Sequence, residues 1–173
     1  MPFSSTIIGP MPFASTASSP YTSSSGVSCQ SGNGTWVWNC STGRLATATV
    51  MDLGTLTLNG GTWTSAAVGI SKAGVFSCNN TNVICSGAPQ VARYKVTGAN
   101  KQVVLISVPN VTLTNQNDST QKLTLVADAP ASITLTSSGE PGVNFDIGGS
   151  ITLSSSTADG TYTGTMNVTV DYQ

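Results

Sequence analysis

The chain contains no histidine, and only seven acidic and six basic residues among 173. Without an imidazole, Ser-His-Asp and Cys-His catalysis are excluded. A net charge of −1 with no basic stripe gives nucleic acid nothing to hold. No apolar run reaches the roughly 18 residues of a membrane-spanning helix, so no membrane insertion is expected. A paired-carboxylate glycosidase needs two convergent acids. Asp52, Asp118, Asp128, Glu140, Asp146, Asp159 and Asp171 are scattered instead, mostly in turn contexts such as "ADG" and "SGEPG". "NQNDS" at 115–119 lacks the Glu and Gly of an EF-hand loop. "NGG" and "IGG" read as turns, with no following helix to bind phosphate. No catalytic residue, metal ligand or cofactor is therefore expected, and the chain does not read as an enzyme.

Ser, Thr, Asn and Gly supply the polar surface, a composition that suits a secreted all-β protein. A near-neutral, strand-rich chain also associates readily. The cysteines form two local pairs. Cys29–Cys40 and Cys78–Cys85 disulfides are expected, although four cysteines permit three pairings. Zinc would need all four sulfurs, and the Cys-x10-Cys and Cys-x6-Cys spacings fit a zinc knuckle poorly. Disulfides imply an oxidising compartment, a periplasm or the cell exterior. The start "MPFSSTIIGPMPF" has no basic n-region and contains three prolines, so it does not resemble a signal peptide. If the chain is exported, its leader is expected to precede Met1.

Residues 1–26 form an extension without acid or base, dense in Ser, Pro and Thr. In an extended chain Phe3, Ile7, Met11 and Phe13 point to one side, with Ser5 and Gly9 between them, and Pro2, Pro10 and Pro12 point to the other. This is an apolar face without a body of its own. Ser15–Ser25 reads as a flexible linker. "CQSGNGTWVWNC" then reads as a disulfide hairpin over 27–41, turning at Gly34-Thr35. Trp36 and Trp38 share its face, placed either to cover a core or the disulfide or to stack a sugar ring.

From Leu45 the pattern is strand after strand. "LATATVMDLGTLTL" alternates across Val50, and "TWTSAAVGI", "GVFSC", "VARYKVTG", "QVVLISV", "VTLTN", "QKLTLVAD", "SITLTS", "VNFDI" and "SITLSSS" follow. Turn residues punctuate them, and no helical period is sustained. An all-β sandwich of Ig-like Greek-key topology over 27–173 is the first expectation. The last strand alternates Met166, Val168, Val170 and Tyr172 with Asn167, Thr169 and Asp171.

The ending "GTYTGTMNVTVDYQ" has a penultimate Tyr172, alternating apolar residues and Gly160 fourteenth from the end. It resembles the C-terminal motif of chaperone–usher pilus subunits. Residues 45–173 also resemble a family of uncharacterised secreted bacterial β-domains, through "MDLGTLTL", "YKVTGANKQVVLISVPNVTLT", "VNFDIGGSITL" and "GTYTGTMNVTVDY". The arm and the first hairpin lie outside that second match. The pilin resemblance implies an incomplete sandwich whose groove, bordered by Gly160, Met166, Val168, Val170 and Tyr172, is completed by a neighbour's arm through Phe3, Ile7, Gly9, Met11 and Phe13. It further implies export through the periplasm of a bacterium with an outer membrane, a transient chaperone and usher, and an extracellular filament of identical subunits. Because proline cannot donate to a ladder, two donor registers remain open: residues 3–9, or a stretch from Met11 into "FASTAS". A second reading is a secreted carbohydrate-binding or adhesin module using Trp36, Trp38 and Trp63. A third is a β-sandwich shell protein.

Overall fold

The computed structural model describes residues 5–7, 14–19, 29–30 and 44–173. Among these residues there is no helix; the protein is all-β. The strands begin with β1 (Ser5–Ile7) and β2 (Ala14–Ser19) in the arm, followed by β3 (Cys29–Gln30). Then come β4 (Arg44–Thr49), β5 (Thr55–Leu58), β6 (Ala66–Ile70), β7 (Phe76–Ser77) and β8 (Val83–Ser86). They are followed by β9 (Ala92–Thr97), β10 (Val103–Ser107), β11 (Val111–Asn115), β12 (Lys122–Asp128) and β13 (Ser132–Thr134). The last are β14 (Val143–Leu153), β15 (Tyr162–Thr163) and β16 (Thr165–Tyr172).

One sheet runs β15-β11-β12-β14-β6-β7, with β9 and then β4 branching from β14. A second runs β13-β10-β16-β2-β3, and a third β1-β5-β8. Among the described residues the pairings are antiparallel except that of β16 with β2, which is parallel. The inward faces meet in one apolar core. Val104, Ile106, Met166, Val168 and Val170 come from the second sheet. Tyr94, Val96, Leu113, Leu125, Phe145, Ile147 and Ile151 come from the first, and Leu56 and Leu58 from the third. Layered sheets around a shared core are consistent with a β-sandwich. Tyr94 and Phe145 are register partners and stack with ring centroids 5.5 Å apart.

Two features differ from the sequence pattern. The run 45–58 does not continue through Val50, which is exposed. Asp52 instead bridges to Gln90, its backbone N–H donating to the Gln90 carbonyl at 2.9 Å. Its carboxylate accepts the Gly54 N–H at 2.8 Å, an Asx-turn that ends the first strand and starts the next. "IGG" is likewise not a turn: Gly148 and Gly149 lie inside β14. β14 pairs β9 along Val143–Ile147 and β6 along Gly149–Leu153. At the changeover a Cβ on Gly148 would stand 2.1 Å from the Ile70 carbonyl oxygen and 2.4 Å from the Ser71 carbonyl carbon. Glycine is there because another backbone is in the way.

Cys78 and Cys85 form a disulfide with Cα atoms 6.3 Å apart. It joins the segment after β7, in the first sheet, to β8, in the third. Replacing both cysteines by serine is expected to lower unfolding free energy by about 2–3 kcal/mol, since the closed loop is short. A denaturant midpoint that does not move would show that the staple constrains nothing. The expected Cys29–Cys40 pair lies outside the described residues; only the backbone of Cys29, in β3, is placed.

Candidate assembly site at the C-terminal strand

The geometry of β16 begins before the strand, at Gly160. Its φ of 140° belongs to glycine, and a Cβ there would sit 2.5 Å from the Asn115 side-chain oxygen. Asn115 is buried; its amide donates to the Asp159 carbonyl at 2.9 Å and its oxygen accepts the Asn117 N–H at 2.8 Å. The loop is thus clamped against the end of β11, and β15 continues along that edge through Thr114↔Thr163 and Asn115↔Tyr162. Gly164 then releases the chain. A Cβ there would meet the Thr112 carbonyl oxygen at 2.8 Å and Val111 Cγ1 at 2.9 Å. Beyond it the strand leaves the first sheet and enters the second.

β16 keeps the expected alternation. Met166, Val168 and Val170 are buried, while Thr165 and Asn167 are exposed. Burying those three apolar side chains contributes about 1.5–3 kcal/mol each. Along Thr169–Tyr172 the strand pairs β10, from Ser107↔Thr169 to Val104↔Tyr172. The Tyr172 hydroxyl donates to the Thr97 carbonyl at 3.1 Å. The ring lies over Gly98, where a Cβ would come within 3.1 Å of Tyr172 Cε1 and 2.6 Å of Leu135 Cδ1.

Burial pushes the Tyr172 phenol up to about 12 from its ordinary 10.0. The folded state therefore holds the phenol neutral where the unfolded chain would ionise it. The resulting stability is complete below pH 10 and disappears as pH rises toward 12. Tyr172→Phe is expected to cost roughly 0.5–1.5 kcal/mol at neutral pH through the lost hydrogen bond. It should also flatten the alkaline fall of the unfolding midpoint; an equally steep fall in the variant would contradict this assignment.

Along Thr165–Val168 the partner of β16 is β2, from the chain's own arm. The register is Thr165↔Ala14, Met166↔Ser15, Asn167↔Thr16 and Val168↔Ala17, and it is parallel. β3 pairs β2 in turn through Ser18↔Gln30 and Ser19↔Cys29. β1 lies elsewhere, antiparallel on β5, with Ile7 opposite Leu56. So Gly160, Met166, Val168, Val170 and Tyr172 fall on one strand and the loop leading to it. Of the arm residues, Ile7 has its backbone on β5, and Phe3, Gly9, Met11 and Phe13 lie outside the described residues. Ser15–Ser19, which in sequence reads as the start of a linker, is strand. "ASTASS" has no apolar alternation, so the period-2 signal that marks the other strands is missing there.

Trp36 and Trp38 also lie outside the described residues. Trp63 is half-buried against the core, and its indole N–H donates to the Asn59 carbonyl at 3.1 Å. The Ser155 hydroxyl donates to the Trp63 carbonyl at 3.0 Å. This tryptophan pins the 59–61 turn. The acids are dispersed: Asp146 holds Arg93 at 2.7 Å, Asp128 holds Lys72 at 2.7 Å, and Glu140 pairs with Lys95. The Lys72 contacts hold the Asp128 carboxyl below its usual range, and Thr120 does the same for Asp118.

A family model described as a domain of unknown function, DUF4402, matches residues 44–172. The chain belongs to the DUF4402 family. The DUF4402 span opens on the first residue of β4 and closes on the last residue of β16. It thus contains every core residue among the described residues and leaves β1, β2 and β3 outside. No curated protein and no solved structure matches the chain.

Proposed function

We propose that this protein is the structural subunit of an extracellular bacterial pilus. Its domain is an Ig-like Greek-key sandwich lacking one strand, and it polymerises when the arm of one subunit completes the groove of the next. The observation that carries the reading is the strand added to β16: it comes from the arm, outside the family domain. Strand addition supplies main-chain hydrogen bonds, and side-chain pockets set the register. A head-to-tail contact of this kind does not close on itself and makes a filament. On this reading a chaperone holds the groove during passage through the periplasm and an usher exports the chain.

Deleting residues 1–19 tests the proposal. The full chain is expected to give thin fibres in negative stain and an SDS-resistant ladder. The deletion is expected to give monomers that still bind a synthetic peptide of residues 1–19. Fibres formed by the truncated chain would overturn the mechanism.

A further inference from the structure

We infer that the arm inhibits its own subunit: β2 occupies the acceptor edge in cis, and assembly requires its release. This rests on the pilus reading and concerns the regulation of the same strand. β2 covers only Thr165–Val168, half of the eight-residue β16. The pairing is parallel, which is slightly weaker per residue than an antiparallel ladder. The paired segment is Ala14-Ser15-Thr16-Ala17, whose apolar residues are two alanines. Phe3, Ile7, Met11 and Phe13, which carry the arm's large apolar surface, all precede it. A cap made of small residues on half of a strand keeps a monomer soluble by covering an edge that would otherwise seed association. It is also weak enough to be displaced. An arm from another molecule is not bound to this register and can lay its large apolar residues along the same edge.

The cis register gives a direct test. Thr16 and Asn167 are partners in the parallel ladder, close enough for a disulfide between adjacent strands. The double variant Thr16→Cys/Asn167→Cys, oxidised at low concentration, is expected to give an intramolecular crosslink identified by peptide mass mapping. That monomer should assemble at least tenfold more slowly than wild type. Mild reduction should restore the rate, with wild type taken through the same reductant as control. A crosslink formed only between molecules, or none, would overturn the cis cap while leaving the filament reading standing. A crosslinked monomer that assembles at the wild-type rate would overturn the inhibition. Failure of wild type to form any filament would remove the pilus reading, and this inference with it. Hydrogen exchange on the monomer gives an independent readout that needs no cysteine. Deleting residues 1–19 should raise exchange at Thr165–Val168 at least tenfold and leave Val104–Ser107 unchanged; unaltered exchange at Thr165–Val168 would also overturn the cap.

Discussion

Gly148→Val is expected to cost 3 kcal/mol or more, about the upper end for overpacking a core, and to leave much of the protein unfolded at 37 °C. The obstacle is backbone. A Cβ at position 148 would lie 2.1 Å from the Ile70 oxygen, 2.4 Å from the Ser71 carbonyl carbon and 2.7 Å from the Lys72 nitrogen. None of these can turn aside as a side chain would. Relief requires β6 to move away from β14, and that would break the Gly149↔Ile70 end of the ladder. Gly74→Ala is the control. Its φ of 79° makes a side chain strained, but nothing lies within 4 Å of the added atom. A cost of about 1–2 kcal/mol is expected there. Urea unfolding of both variants checks the ranking. Equal losses would mean that the crossing of β14 and β6 is looser than these distances require.

Met166→Ala is expected to cost about 2–5 kcal/mol, the range for truncating a buried long side chain. Met166 is fully buried and belongs to the same core as Leu113, Leu125 and Ile147. Truncation leaves a void in a core closed from several sides, with little room to collapse. Val126→Ala, on β12, is the comparison: Val126 is 50% exposed and should lose well under 1 kcal/mol. Met166→Ala also bears on function. Met166 shares the stretch of β16 that pairs with the arm, so a stable preparation should also bind the arm peptide more weakly than wild type. Thermal unfolding and peptide titration read the two effects separately.

Much of this architecture was legible in the sequence, and the reason is local. In β16 the alternation of Met166, Val168 and Val170 with Thr165 and Asn167 is a pattern that one strand carries by itself, and burial follows it. The same holds for β10, where Val104 and Ile106 are buried and Leu105 is exposed. Turns with a composition signature were equally visible, such as Asn59-Gly60-Gly61, where Gly61 has a φ of 109°. The features that escaped depend on partners distant in sequence. "IGG" has the composition of a turn, and only the passage of Ile70 and Ser71 over Gly148 reveals a strand interior. The break at Val50 depends on Gln90, whose backbone takes Asp52 out of the run. Tyr172 could be placed at the end of an apolar face, but its hydrogen bond to Thr97 depends on how β9 and β16 pack. The arm was the least legible part. "ASTASS" has neither periodicity nor apolar bulk, so its place beside β16 shows only in the strand pairing itself.

The most direct measurement of the central claim is a cryo-EM map of assembled material in which the chain can be traced through residues 1–44. Density for the arm of one subunit running beside Thr165–Tyr172 of the adjacent subunit is the expected result. Density that returns the arm to β16 of its own molecule in every subunit of a filament would contradict it.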